Sequence, residues 1–403
     1  MTAQLQLRGA RPRRVIGLGA VFASFLYLGA AAVSAAAPWT PTDDSLVLEQ
    51  VADPRSPEAR ELTRLQAARA AAPSDPAPAL ALARRALELG RRDGDARLIG
   101  RAEAALAPLL ASDSPSTEAL LLHATVQQNR HEFRAALETL ERVLARDPRN
   151  PQAWLTRAVI ELVQGDPRRS LASCARLLGR LDSLWIAACA AQARSRAGEL
   201  QASYEALRAH LERAPDAPPS QRAWVELALG EMAARLGETA RAEAHVRAAL
   251  ALDPGDVGAR ADLADLLLDA GRASEVRDSL AGETRSDLLL LRLTLAEHAL
   301  GDPAFESHAS LLEARARESR LRGAGVHARE EARLALEVRG DAPRALELAR
   351  ASFAEQREPA DLRILLFAAR AADDPAAAQL ALDFLAATHL EDARPVRPAE
   401  GKP

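Results

Sequence analysis

Lysine is nearly missing from this sequence: Lys402 is the single one, and almost every cation is arginine. Aromatic residues make up 3% of the 403 positions, and there are two cysteines. Strands draw on β-branched and aromatic side chains, which are scarce here, so sheet architectures are excluded. The net charge is −4 and no basic face is clustered, which removes the electrostatic basis for nucleic-acid binding. Catalytic signatures are missing as well: no Gly-rich phosphate loop, GxSxG elbow or HExxH helix occurs, and the eight histidines are scattered. No enzyme activity and no cofactor is expected. What is present is Ala and Leu, which dominate the 48% hydrophobic share and are the strongest helix formers. The expected class is all-α, and the length suits either two or three ordinary domains or one long repeat array.

Residues 1–37 read as an export leader. Arg8, Arg11, Arg13 and Arg14 precede an uncharged run from Val15 to Ala37 that is most apolar up to Leu28 and then fades into small residues. Cleavage after Ala35 or Ala36 fits this decay, and an uncleaved membrane anchor is the alternative. Either way the arginines stay inside and the rest of the chain is expected outside the inner membrane, periplasmic, secreted or anchored there. Four of the 52 Lys and Arg stand in the leader, so the remainder is more acidic still. Residues 38–57, with Trp39, Pro41 and Pro54, lack helical periodicity and read as a linker, and 391–403, with three prolines, as a disordered tail.

Between them a short turn recurs, usually Gly followed by Asp or Glu, flanked by helical stretches. It stands at His131-Glu132, Gly165-Asp166, Gly198-Glu199, Gly237-Glu238, Gly271-Arg272, Gly301-Asp302, Gly340-Asp341 and Asp374-Pro375, in steps of 34, 33, 39, 34, 30, 39 and 34. Five residues past a turn stand small residues, Ala136, Ser170, Ser203, Ala242 and Ala345, which let two helices approach closely. From turn to closing proline the distance is 17 residues at His131–Pro148, Gly198–Pro215 and Gly237–Pro254. Trp154 and the pair Leu229-Gly230 fill further positions of the same pattern. Together these residues resemble the tetratricopeptide repeat over 117–390, with one degenerate unit before it around Gly94-Asp95. The resemblance implies a right-handed superhelical solenoid of eight to nine helical hairpins, with 58–116 as an N-terminal helical cap. Glu306, Val276 and Arg333 depart from the small-residue pattern. Extra length falls at Ala217–Gln221 and around Arg322–Gly325.

The repeat register also implies a concave groove lined by first helices. Its inward positions are Leu121, Thr125, Leu155, Val159, Trp185, Gln192, Trp224, Leu227 and Glu231, then Asp262, Asp265 and Asp269. Members of the family that grip a C-terminal carboxylate use Lys and Asn there. Those are missing here, so the expected partner is a protein or peptide with apolar anchors and a basic stretch facing the later acids. Trp154 reads as a structural position, whereas Trp185 and Trp224 suit binding or core packing equally. The function expected is a non-catalytic scaffold in cell-envelope assembly. The alternative is a periplasmic chaperone or ligand-capture protein with several clients. Cys174 and Cys189, on consecutive helices, are candidates for a disulfide, against the plainer reading of two small buried side chains. His327, Glu330 and Glu331 form the best local cluster for a metal, but a solvated helix face is the better account, and no metal is expected.

Overall fold

The structure, a computed structural model, describes residues 53–321 and 328–394, all within one unit, Glu49–Pro403. The leader, most of the linker, His327 and the insertion at Arg322–Gly325 lie outside the described residues. A first helix, α1 (Pro57–Ala71), starts with Pro57 and is capped by Ser56, whose Oγ accepts from the Ala59 amide. The linker thus ends one residue earlier than the expected boundary. Nine hairpins follow. They pair α2 (Pro76–Asp93) with α3 (Ala96–Leu110), α4 (Thr117–Asn129) with α5 (Phe133–Arg146), and α6 (Pro151–Val163) with α7 (Pro167–Ala175). Next come α8 (Ser183–Ser195) with α9 (Leu200–Glu212), α10 (Pro219–Arg235) with α11 (Thr239–Leu252), and α12 (Val257–Asp269) with α13 (Ala273–Ser279). The last three join α14 (Asp287–Leu300) to α15 (Ala304–Leu321), α16 (Ala328–Arg333) to α17 (Ala342–Glu355), and α18 (Pro359–Ala371) to α19 (Pro375–Thr388). Among the described residues there is no strand, and the array is a right-handed superhelical solenoid.

The turns explain why the period is so regular. The backbone turns left-handed at Gly94, His131, Gly165, Gly198, Gly237, Gly271, Gly301, Gly340 and Asp373, with φ between 51° and 86°. Most of these joints close when the next amide reaches back five residues, as Asp166 does to Glu161 O at 2.8 Å and Glu238 to Ala233 O at 2.9 Å. Such a joint satisfies the orphan carbonyls of the first helix and favours glycine, which has no Cβ to clash. In the last hairpin the left-handed residue is Asp373, one position before the turn read from sequence, and Asp374 instead caps α19 by accepting from Ala377 N. The joint before α17 is different. A π-helical turn over Leu334–Val338 runs on from α16, and Arg339 N donates to Leu334 O at 3.1 Å.

Within hairpins the small residues fall where expected: Ala136, Ala242 and Ala345 are 0% exposed, and Ser170 and Ser203 are buried. A Cβ added at Gly230 would sit 2.9 Å from Val246 Cγ2, so α10 and α11 touch backbone to side chain. Of the departures, Val276 is fully buried, whereas Glu306 is exposed and Ala309, three residues on, is buried in its place. The extra residues at Ala217–Gln221 lengthen α10, and Gln221 donates to Asp182 Oδ1 at 3.1 Å.

Contacts are not confined to neighbouring hairpins. Arg357 N donates to Val163 O at 2.8 Å, Gln356 meets His131 at 2.8 Å, and a Cβ on Gly165 would collide with the Phe384 ring. The last hairpins therefore return to the turns of the early ones. The expected disorder after Glu391 is corrected for Glu391–Arg394, which are docked: Ala393 N donates to Arg235 O at 2.7 Å. Proline content argued for disorder, but all three prolines lie beyond Arg394, outside the described residues.

Candidate functional site

The first helices bring several of the sequence-selected residues together. Leu155, Val159, Gln192 and Trp224 line one cavity of about 60 Å³, walled also by Leu162, Cys189, Arg196 and Glu358. Trp185, on α8, packs its ring against that of Trp224, on α10, with centroids 4.8 Å apart and planes tilted by 36°. Both indoles are half-buried. Each stands on a first helix whose start is fixed, by the Asp182 cap on α8 and by Pro219 on α10. The result is an apolar patch with a guanidinium at one end. Arg196 is largely buried and faces Glu358 at 3.5 Å, while its Nε and Nη1 carry no hydrogen bond.

Other selected positions are spent elsewhere. Thr125 donates to Leu121 O on its own helix at 3.1 Å, and Leu121 packs against the core around Phe133 and Leu140. Leu227 is half-buried, and Glu231 pairs with Arg235 at 3.0 Å. Trp154 is pinned by its Nε1–H donating to Pro148 O at 3.0 Å, with Arg157 and Arg176 over its ring.

The later acids face arginines of this chain. Asp262 is exposed, but Asp265 receives Arg292 at 2.7 Å and Arg333 at 2.8 Å, and Asp269 receives Arg363 at 2.9 Å. Arg292 continues to Glu330 at 2.8 Å, and Arg329 meets Glu358 at 3.3 Å and the fully buried Asp361 at 3.5 Å. Burial alone would raise the Glu330 pKa, but Arg292, Arg329 and Arg333 outweigh it and hold the carboxyl at about 2. Asp265 is likewise held well below the usual carboxylate range by Arg292 and Arg333, against its burial. This network was not legible in the sequence because its links join helices 27 to 68 positions apart. The one visible signal was Arg333, standing where a small residue belongs. Of the cluster weighed for a metal, Glu330 and Glu331 are both in ion pairs, Glu331 with Arg320. Among the described residues no group of three or more His, Cys, Asp or Glu could hold a metal ion.

Cys174 and Cys189 are joined as a disulfide, with Cα atoms 5.8 Å apart, tying α7 to α8 directly behind the cavity wall. On the second helices, Tyr204 O–H meets His245 Nε2 at 3.0 Å and His245 Nδ1 meets Glu226 Oε2 at 2.6 Å. The phenol is buried, which pushes its pKa up, so this chain of bonds satisfies buried polar groups rather than preparing a nucleophile. Among the described residues no helix is long and apolar enough to cross a membrane.

Known proteins bear the fold out. The tetratricopeptide repeat family matches residues 121–184 and again 233–282. No curated protein matches the chain as a sequence. Among solved structures, a human IFIT1 dimer with m7Gppp-AAAA is similar at 15% identity, over 82% of this chain and 77% of that one, with a TM-score of 0.50. A tetratricopeptide repeat protein from Parabacteroides merdae is similar at 14% identity, over 68% of this chain and all of that one, with a TM-score of 0.35. The APC/C hetero-tetramer Cut9–Hcn1 is similar at 15% identity, over 83% and 77%, with a TM-score of 0.38. Such repeats generally mediate contacts between proteins and are generally non-catalytic. By its two matched segments, its recurring left-handed joints and its helical solenoid, this chain is a tetratricopeptide repeat protein.

Proposed function

We propose that the array is an exported scaffold that holds a segment of a partner protein on the first-helix face around Trp185 and Trp224, in the service of cell-envelope assembly. The observation that carries this is the indole pair. Two half-buried tryptophans in contact, beside a small cavity lined by Leu155 and Val159, present the rigid aromatic area on which binding hot spots are built. Arg196, largely buried in the cavity wall and paired with Glu358, closes one end of the patch with a charge. Because Asp265 and Asp269 already hold Arg292, Arg333 and Arg363, a basic stretch on the partner is not part of the reading. The capped RNA of the IFIT1 complex is not carried over either, since the interior arginines here are matched by acids. Export is supported by the leader and by the Cys174–Cys189 bridge, a bond that persists in oxidising compartments.

The test has two arms. Trp185→Ala with Trp224→Ala should weaken partner capture by about 2 kcal/mol per true anchor, roughly thirtyfold each, while the helical circular dichroism stays unchanged. Undiminished capture by the folded double variant would move the binding surface elsewhere. A reporter that fluoresces only in the cytoplasm, fused after Pro403, should stay dark, and a bright fusion would remove the export claim.

A further inference from the structure

Helix α9 begins without a cap of its own. Glu199, at the capping position, makes no side-chain hydrogen bond to the first turn, although asparagine or aspartate caps α6, α7, α8, α12, α17 and α19. The carboxylate that serves α9 comes from Glu391, whose Oε1 accepts from Leu200 N at 3.2 Å. Beside it stands Arg235, the largest fully buried side chain, 0% exposed. Its guanidinium donates to Ser195 O at 3.0 Å and Ser195 Oγ at 2.7 Å, and reaches Glu391 O at 3.4 Å, while Nε is ion-paired with Glu231 at 3.0 Å. The Arg235 carbonyl in turn accepts from Ala393 N at 2.7 Å. Two turn glycines clear the way. A Cβ at Gly198 would lie 3.0 Å from His389 Cβ, and one at Gly237 would lie 3.5 Å from Ala393 Cβ. Arg394, three residues past Glu391, donates to Asp392 of the same segment at 2.8 Å, with the charges of Glu231 and Asp269 farther off.

We infer that this strip, running from the start of α9 across Arg235 to Gly237, is a binding site for extended acidic peptide, occupied here by the chain's own residues 389–394. Its grammar can be read from the occupant. An acidic side chain takes the α9 N-terminus, where unpaired amides and the helix dipole favour a negative charge. A small residue two positions on lets its amide reach the Arg235 carbonyl against Gly237. An arginine three positions on is paired with the aspartate between them, in the outer field of Glu231 and Asp269. The main-chain bonds hold any sequence of this shape, and the acid and the arginine choose among them. A partner carrying such a segment competes with the tail, so release of the tail and capture of the partner are one equilibrium. The strip uses the ends of α8 and α10, whereas Trp185 and Trp224 stand near the starts of those helices, so each set of substitutions tests one site.

Hydrogen exchange on the full chain is the first measurement. The amides of Ala393 and Leu200 should be protected at least about a hundredfold relative to free peptide, since both are bonded in the docked state. Exchange of Ala393 at the free rate overturns the proposal. The second uses a fluorescein-labelled peptide of residues 388–394, Thr-His-Leu-Glu-Asp-Ala-Arg, added in trans. The full-length Glu391→Ala/Ala393→Pro chain, its own tail unable to dock, should bind this peptide at least about tenfold more tightly than the wild-type chain. Glutamine in place of the peptide's glutamate should weaken binding by about tenfold, the loss of one charge-assisted bond. Equal binding by the two chains, or indifference to the glutamine, overturns it. Because the first measurement is made on the unaltered chain, a variant that fails to fold does not rescue the idea.

Discussion

The hairpins from α4 to α11 and those from α12 to α18 obey the same period but are held together differently. In the first set, small side chains at the crossing points do the work, and Ala136, Ser170, Ser203 and Ala242 are all buried against their partner helix. In the second set the slot holds Val276 and Glu306, with Ala345 keeping the small residue, and arginine and carboxylate side chains link the helices across the interior through Asp265, Arg292, Glu330, Arg329 and Glu358. The first arrangement is local, being set within each hairpin. The second is shared, because its ion pairs run from α12 to α14 and α16, from α14 to α16 and from α16 to the start of α18. A repeat can therefore abandon its small-residue rule where a network spanning several units replaces it.

The comparison can be broken most directly at Asp265. Replacing it with alanine leaves Arg292, 5% exposed, and Arg333 without their common carboxylate, and removing one partner of a buried pair costs about 3–5 kcal/mol. Urea unfolding of Asp265→Ala should show this loss, and a cost under about 1 kcal/mol would mean the network is ornamental. Acid is the next lever. Glu330 and Asp265 have pKa values lowered by their arginines, so their contribution is fully present above the unfolded carboxyl range and is lost as pH falls toward about 2. Hydrogen exchange between pH 5 and pH 3 should open α12, α14 and α16 before α4 to α11, and the reverse order would sink the distinction. In the first region, Ala242→Leu should overpack α10 against α11 and cost about 1–3 kcal/mol by thermal unfolding. The smallest effect belongs to the same slot in the second region. Glu306→Ala removes only a solvent-exposed pair with Arg339 and should cost less than about 1 kcal/mol.

The helical class, the period and the crossing residues were legible because each depends on residues within one 34-residue unit. Gly-Asp turns, Ala five positions later and a closing proline carry their meaning locally. The Trp185–Trp224 contact was partly legible, since the register placed both on first helices, though not that the rings touch. What could not be read is whatever depends on how far the superhelix turns before meeting itself. The Arg357–Val163 bond, the docking of Glu391 and the charge network all join residues whose proximity is set by small rotations accumulated over several hairpins. A composition argument gave the tail as disordered for the same reason: nothing near Glu391 in sequence announces the Arg235 carbonyl.

An open solenoid resists force as a spring does, lengthening through slight rotations between stacked units. The Arg357–Val163 bond changes that mechanics. Tension applied between α1 and α19 meets first the clasp where the last hairpins grip the early turns, loading those few bonds in shear while the stacked helices between them carry little strain. Elastic extension begins only once the clasp has parted.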